Sequence, residues 1–140
     1  MAEFIFRDLV EKSGGSSSFF VASCATSSEE IRNGVGNPVY PPARRELDRH
    51  GIDCSGKRAV RLQKSDYEKY DLILCMDRYN LTDALATFGG DPEQKVLKLL
   101  DYAGGGDVAD PWYTDRFDLA YEEILRGCRA LFARLTEGKT

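Results

Sequence analysis

An α/β fold with a mainly parallel sheet flanked by helices is predicted from three features of the sequence. Short, nearly unbroken apolar runs at 19–23, 72–76 and 96–100 alternate with longer stretches of helical periodicity. The middle run, Leu72-Ile73-Leu74-Cys75-Met76, is apolar at every position instead of alternating, as in a strand covered by helices on both faces. The chain has 140 residues, 42% of them apolar, which suffices for one domain with one core. No repeat or linker divides it, so residues 1–140 are expected to form a single domain.

The elements follow in order. Met1, Ile5 and Leu9, with Phe6 and Val10 beside them, make a one-sided stripe and predict a first helix, closed by Ser13-Gly14-Gly15. Phe19-Phe20-Val21-Ala22-Ser23 predicts a buried strand, and the polar stretch 26–39 a loop. Pro41-Pro42 opens a second helix where proline is tolerated, and Gly51 ends it; His50 in its last turn is expected at the surface. Ser65-Asp66-Tyr67-Glu68 has the spacing of a capping box on a single helical turn. The strand at 72–76 leads into a helix from Asp77 to Phe88, ended by Gly89-Gly90. The run at 96–100 is a third strand, less uniformly apolar and so nearer an edge. Phe117, Ala120, Tyr121, Ile124, Leu125, Cys128, Leu131, Phe132 and Leu135 recur at three- and four-residue steps and predict a long amphipathic last helix.

Composition narrows the function. A net charge of -4 argues against a nucleic-acid or anionic-membrane surface. No apolar run reaches the length of a membrane span, and the first ten residues carry charges that a secretory signal would not. A cytoplasmic protein is expected. The four cysteines, Cys24, Cys54, Cys75 and Cys128, are widely spaced and the one histidine is His50, so no zinc pattern is recognisable. Four free thiols in a reducing compartment are expected, with no metal and no cofactor.

The stretch with most chemical content is Asp110-Pro111-Trp112-Tyr113, which follows the glycine-rich 101–109. Proline holds the residue before it extended, and two adjacent aromatics can wall a cleft for a flat substrate. Taken alone, Asp-Pro in such a loop is a turn. In a parallel α/β sheet, however, this loop leaves the third strand at its carboxyl end, where reactive loops lie. Gly104-Gly105-Gly106 lacks the Lys and Ser/Thr of a nucleotide loop and reads as a hinge for Asp110.

In order along the chain, Met1-Ala2-Glu3-Phe4, Ser23-Cys24-Ala25-Thr26-Ser27, His50-Gly51-Ile52, the run from Tyr70 to Asp77, and Asp110-Pro111-Trp112-Tyr113 together resemble the low-molecular-weight protein tyrosine phosphatases, essentially end to end. Asn37 to Pro42 with Arg44-Arg45 looks like bacterial members. The resemblance implies that Asp110 is the general acid that protonates the leaving phenolate and then the base that activates water. It implies that Trp112 and Tyr113 line the entrance where a phosphotyrosine ring stacks.

In that family the Met-Ala-Glu stretch directly follows a first strand and a Cys-x5-Arg-Ser catalytic loop. A chain that begins at this Met is expected to lack the nucleophile, the phosphate-binding guanidinium and the backbone cradle, and to be inactive as it stands. Cys128 and Arg134 have the Cys-x5-Arg count, but they fall inside the last helix with no glycine between and cannot form a phosphate cradle. The alternative is an active tyrosine phosphatase that hydrolyses phosphotyrosine once the missing segment is included. The missing strand is central in the family, between 19–23 and 72–76. Its loss would leave backbone groups unpaired at about 1–3 kcal/mol each, so the sheet is expected to rearrange or to be completed by dimerisation. The predicted partner is a second copy docking through exposed strand edges, with neither nucleic acid nor membrane.

Overall fold

The computed structural model describes residues 1–14, 19–26, 31–32 (backbone only) and 35–136. Its elements run α1 (Ala2–Lys12), β1 (Ile31–Arg32), β2 (Val35–Gly36), α2 (Pro41–Arg49), α3 (Asp66–Lys69), β3 (Ile73–Cys75), α4 (Arg78–Phe88), β4 (Val96–Lys98), a 3-10 helix (Leu99–Ala103), α5 (Pro111–Thr114) and α6 (Phe117–Thr136).

β3 and β4 pair in parallel, Ile73 opposite Val96 and Cys75 opposite Lys98, and helices cover both of their faces. Side-chain alternation sorts the faces. Leu72, Leu74 and Met76 turn toward the cluster built by Phe4, Ile5 and Val10 of α1 and Ala120, Ile124, Cys128 and Leu131 of α6. Ile73 and Cys75 turn the other way, to Leu62, Tyr67, Ala84 and Phe88. The first, second, fourth and last helices expected from periodicity are all present. Asp77 caps α4 by accepting from the Asn80 amide at 2.8 Å, and Gly89 closes it at φ 75.

Five expectations need correction. Residues 19–24 do not form a strand: the backbone is extended and burial alternates, with Phe19, Val21 and Ser23 turned in and Phe20, Ala22 and Cys24 out, but no ladder partner runs alongside among the described residues. Helix and loop side chains satisfy part of its edge instead. Arg7 Nη2 donates to the Val21 carbonyl at 2.7 Å and Lys57 Nζ to the Ser23 carbonyl at 2.9 Å. The same two cations and the Ser23 hydroxyl converge on Glu3, at 2.7, 3.0 and 2.7 Å, and so fasten the segment to α1. Burial by itself would push the Glu3 carboxyl up; the Ser23 hydroxyl and the Lys57 and Arg7 charges outweigh it and hold it below the usual carboxylate range.

The other corrections are smaller. The third strand stops at Lys98, and the fully buried Leu99 and Leu100 lie in the 3-10 helix against α6. Residues 72–76 are mostly half-buried, Cys75 alone being fully buried. The described part of 26–39 contains the antiparallel pair β1–β2; residues 27–30 and 33–34 of that expected loop lie outside the described residues. Ser65 makes no capping hydrogen bond; its backbone is already helical, and Asp66 instead accepts from the Gln63 amide at 2.8 Å.

Candidate active site

The carboxyl ends of β3 and β4 set the position of the Asp110 loop. Gly104, Gly105 and Gly106 follow the 3-10 helix with φ of 97, 93 and 105, a run that only glycine adopts without strain. The triplet thus forms a left-handed turn leading into the Asp110 loop. The chain then returns to β3, where the Val108 amide donates to the Met76 carbonyl at 2.9 Å and buries the Val108 side chain. Lys98 Nζ meets Asp107 at 2.8 Å, a second tie between this loop and β4.

Two residues later comes Asp110, exposed and extended as its proline requires. It caps the single turn α5: its Oδ1 accepts from the Trp112 amide at 3.0 Å, and its carbonyl accepts from the Tyr113 amide at 3.1 Å. That turn fixes where the two aromatics stand. Trp112 is 66% and Tyr113 84% exposed, far above what core packing leaves. All three site residues expected from sequence therefore sit together on one open rim.

Sequence reasoning missed a fourth. Tyr40, at the N-terminus of α2, packs its ring 5.4 Å from Trp112 and 5.9 Å from Phe117. The three rings form a tilted aromatic cluster centred on Tyr40, and Asp110 joins it through the Trp112 amide. Its only signal in the sequence was an exposed type of residue before Pro41-Pro42. His50 also differs from a plain surface residue: its ring stacks on Tyr121 at 3.6 Å and its Nε2 lies 2.9 Å from the buried Glu46.

None of the four thiols is set up as a nucleophile. Burial pushes Cys75 up to about 11, with the nearby Asp77 carboxylate adding to it. Burial pushes Cys128 up to about 12 inside α6. Cys54 is raised by burial as well, and Cys24 by crowding from protein atoms and then by Asp66. A nucleophilic thiol needs a positive field and a lowered pKa. Among the described residues no group of three or more His, Cys, Asp or Glu side chains could hold a metal ion, and no helix is long and apolar enough to cross a membrane.

With this geometry in view, comparison with known proteins places the chain. The family model described as low molecular weight phosphotyrosine protein phosphatase matches residues 1–140. The low molecular weight protein-tyrosine-phosphatase YfkJ of Bacillus subtilis is 32% identical over 99% of this chain and 88% of its own length. The low molecular weight phosphotyrosine protein phosphatase of Homo sapiens is 31% identical over 96% of this chain and 85% of its own. The crystal structure of YfkJ superposes with a TM-score of 0.90, covering 99% of this chain and 87% of that one. A match across the whole chain, in sequence and in fold, leaves one assignment: the chain belongs to the low molecular weight phosphotyrosine protein phosphatase family.

Proposed function

We propose that residues 1–140 supply the proton-donor and aryl-binding side of a phosphotyrosine hydrolase and, by themselves, form no phosphocysteine intermediate. The observation that carries this is the pairing of a built acid rim with four unactivated thiols. Asp110 caps the turn of Trp112 and Tyr113, and Tyr40 packs on Trp112, while burial or crowding raises every cysteine. In the reaction the family performs, a thiolate attacks phosphorus and the phenolate departs with a proton from Asp110. Asp110, now ionised, takes a proton from the water that hydrolyses the thiophosphate. Residues 1–140 hold the group for both proton transfers but lack a sulfur able to make the first bond.

The experiment has two arms. Residues 1–140 alone should leave phenyl phosphate untouched above the buffer rate. Joined to the strand and Cys-x5-Arg segment of a relative, they should hydrolyse it, and Asp110→Asn should then lower the rate by about 10²–10⁴-fold. Asparagine keeps the cap on α5 and cannot give up the proton. Turnover by residues 1–140 alone that Asp110→Asn abolishes would overturn the inactive reading.

A second reading, an active enzyme in which a preceding segment completes the site, is favoured by length: the relatives extend beyond the matched region, this chain covering 85–88% of them. For residues 1–140 alone, the edge of β3 and the segment 19–24, neither of which has a ladder partner there among the described residues, favour a homodimer joined through strand edges. A monomeric mass by light scattering at micromolar concentration counts against that dimer.

A further inference from the structure

Charge is unevenly distributed along this acidic chain. Residues 44–64 hold seven Lys and Arg against three Asp and Glu; the rest holds twelve against twenty. The fold brings this basic stretch to the rim described above. The extended backbone at 58–62 is clamped between two neighbours: Ala25 exchanges hydrogen bonds with Val60 and Leu62, and the Ala59 amide donates to the Asn37 carbonyl at 2.8 Å. Arg58 bridges antiparallel to Pro38, and its Nη1 donates to the Gly36 carbonyl at 3.1 Å. Pro38 is two residues from Tyr40, whose ring meets Trp112.

Arg58 thus lies one strand-width and two residues from the aromatic wall, within reach of a short extended peptide whose ring rests there. Arg45, Arg58, Arg61 and Lys64 are exposed. Among the described residues, no carboxylate lies within ion-pair distance of any of them. Of the three acids in the stretch, Glu46 is buried against Arg49 and His50, Asp53 accepts from the Ser55 amide with Arg44 nearby, and the exposed Asp48 makes no ion pair with any of these four cations. Exposed cations without carboxylate partners give this part of an otherwise acidic protein a local basic surface that an anionic partner can complement.

We infer that the strip carrying Arg58 and Arg61 docks acidic residues that flank the tyrosine of a peptide substrate. This rests on the reading of the Tyr40–Trp112 rim as the aryl site and adds the class of peptide that the rim selects. Acidic side chains would take the place of the missing counter-charges, and the effect should be screened by salt as a surface interaction is.

Trp112 is the one tryptophan in the chain and reports the rim directly by its fluorescence. Three tyrosine peptides of equal length, flanked by Glu, Ser or Lys, are titrated into residues 1–140 at low and high salt. The expected result is that the Glu peptide binds about fivefold to tenfold more tightly than the Ser peptide at low salt, and the Lys peptide least. The preference should vanish at 0.5 M salt and in Arg58→Glu with Arg61→Glu, while the Ser peptide still binds that variant. Equal binding of Glu and Ser peptides overturns the docking strip and leaves the aryl rim standing. Failure of all three peptides to perturb Trp112 overturns both. A preference that survives the double substitution overturns the assignment to these arginines. Anionic lipid vesicles, run in parallel, should not compete with the Glu peptide; competition would make the strip a membrane surface instead.

Discussion

Asp110 shows how one carboxylate is asked to do two things. It caps the turn that aims Trp112 and Tyr113, and it is the proton donor in the function proposed above. The sequence revealed the pair because Asp-Pro and the aromatics are adjacent. It could not reveal Tyr40, which reaches Trp112 only because α2 is packed against α6 through the fully buried Leu47. A less visible residue holds that arrangement. A Cβ on Gly36 would stand 1.8 Å from the Ala59 carbonyl oxygen, so the segments at 36–38 and 58–62 touch only because this side chain is missing. Gly36→Ala must force them apart. The expected cost is about 1–3 kcal/mol, read as a lower urea midpoint, with the Trp112 emission altered as Tyr40 shifts. An unchanged midpoint would mean that the two segments are not in contact.

The helices were legible because each carries its own evidence: a 3.6-residue stripe, a capping Asp77, a closing Gly89. Strands do not, since a strand is a relation between two segments. The run at 19–23 has the composition of a strand, and its side chains alternate in burial as one would, yet composition says nothing about whether a neighbour is present. Arg7 and Lys57 bonding to its carbonyls were invisible for the same reason. At 96–100 the error was one of boundary. Five largely apolar residues fit a strand or a buried 3-10 turn equally, and packing of Leu99 and Leu100 under α6 decides for the turn after Lys98. Ser65 misled because its own backbone is already helical, at φ -65 and ψ -17, and a capping residue must be non-helical. The Asp110 loop does not depend on these errors, because Val108 ties it to the Met76 carbonyl at the end of β3.

The molecule as a whole is tuned against ionising its thiols, and this fixes how its stability should respond to alkali. Cys75 and Cys128 are buried, and their folded values of about 11 and about 12 stand above the unfolded value of 9.0. Between those limits the unfolded chain releases protons that the folded chain retains, so the unfolded side gains with each step in pH. Stability is therefore whole below pH 9 and is lost as pH rises through the folded values. The slope for each thiol is about 1.4 kcal/mol per pH unit, and Tyr67, Tyr102 and Tyr121, also raised by burial, act in the same direction above pH 10. At the acid end Glu3, Asp91 and Asp107 lie below their usual values, so stability is whole above about pH 4.5 and falls as they protonate. Urea midpoints under reducing conditions should accordingly be flat at neutral pH and decline from pH 9 to 11. Cys75→Ala and Cys128→Ala should each start lower and decline less steeply, because each removes one proton from the balance. A midpoint that holds steady to pH 11 would show that these two thiols ionise as readily in the folded protein as in the unfolded chain.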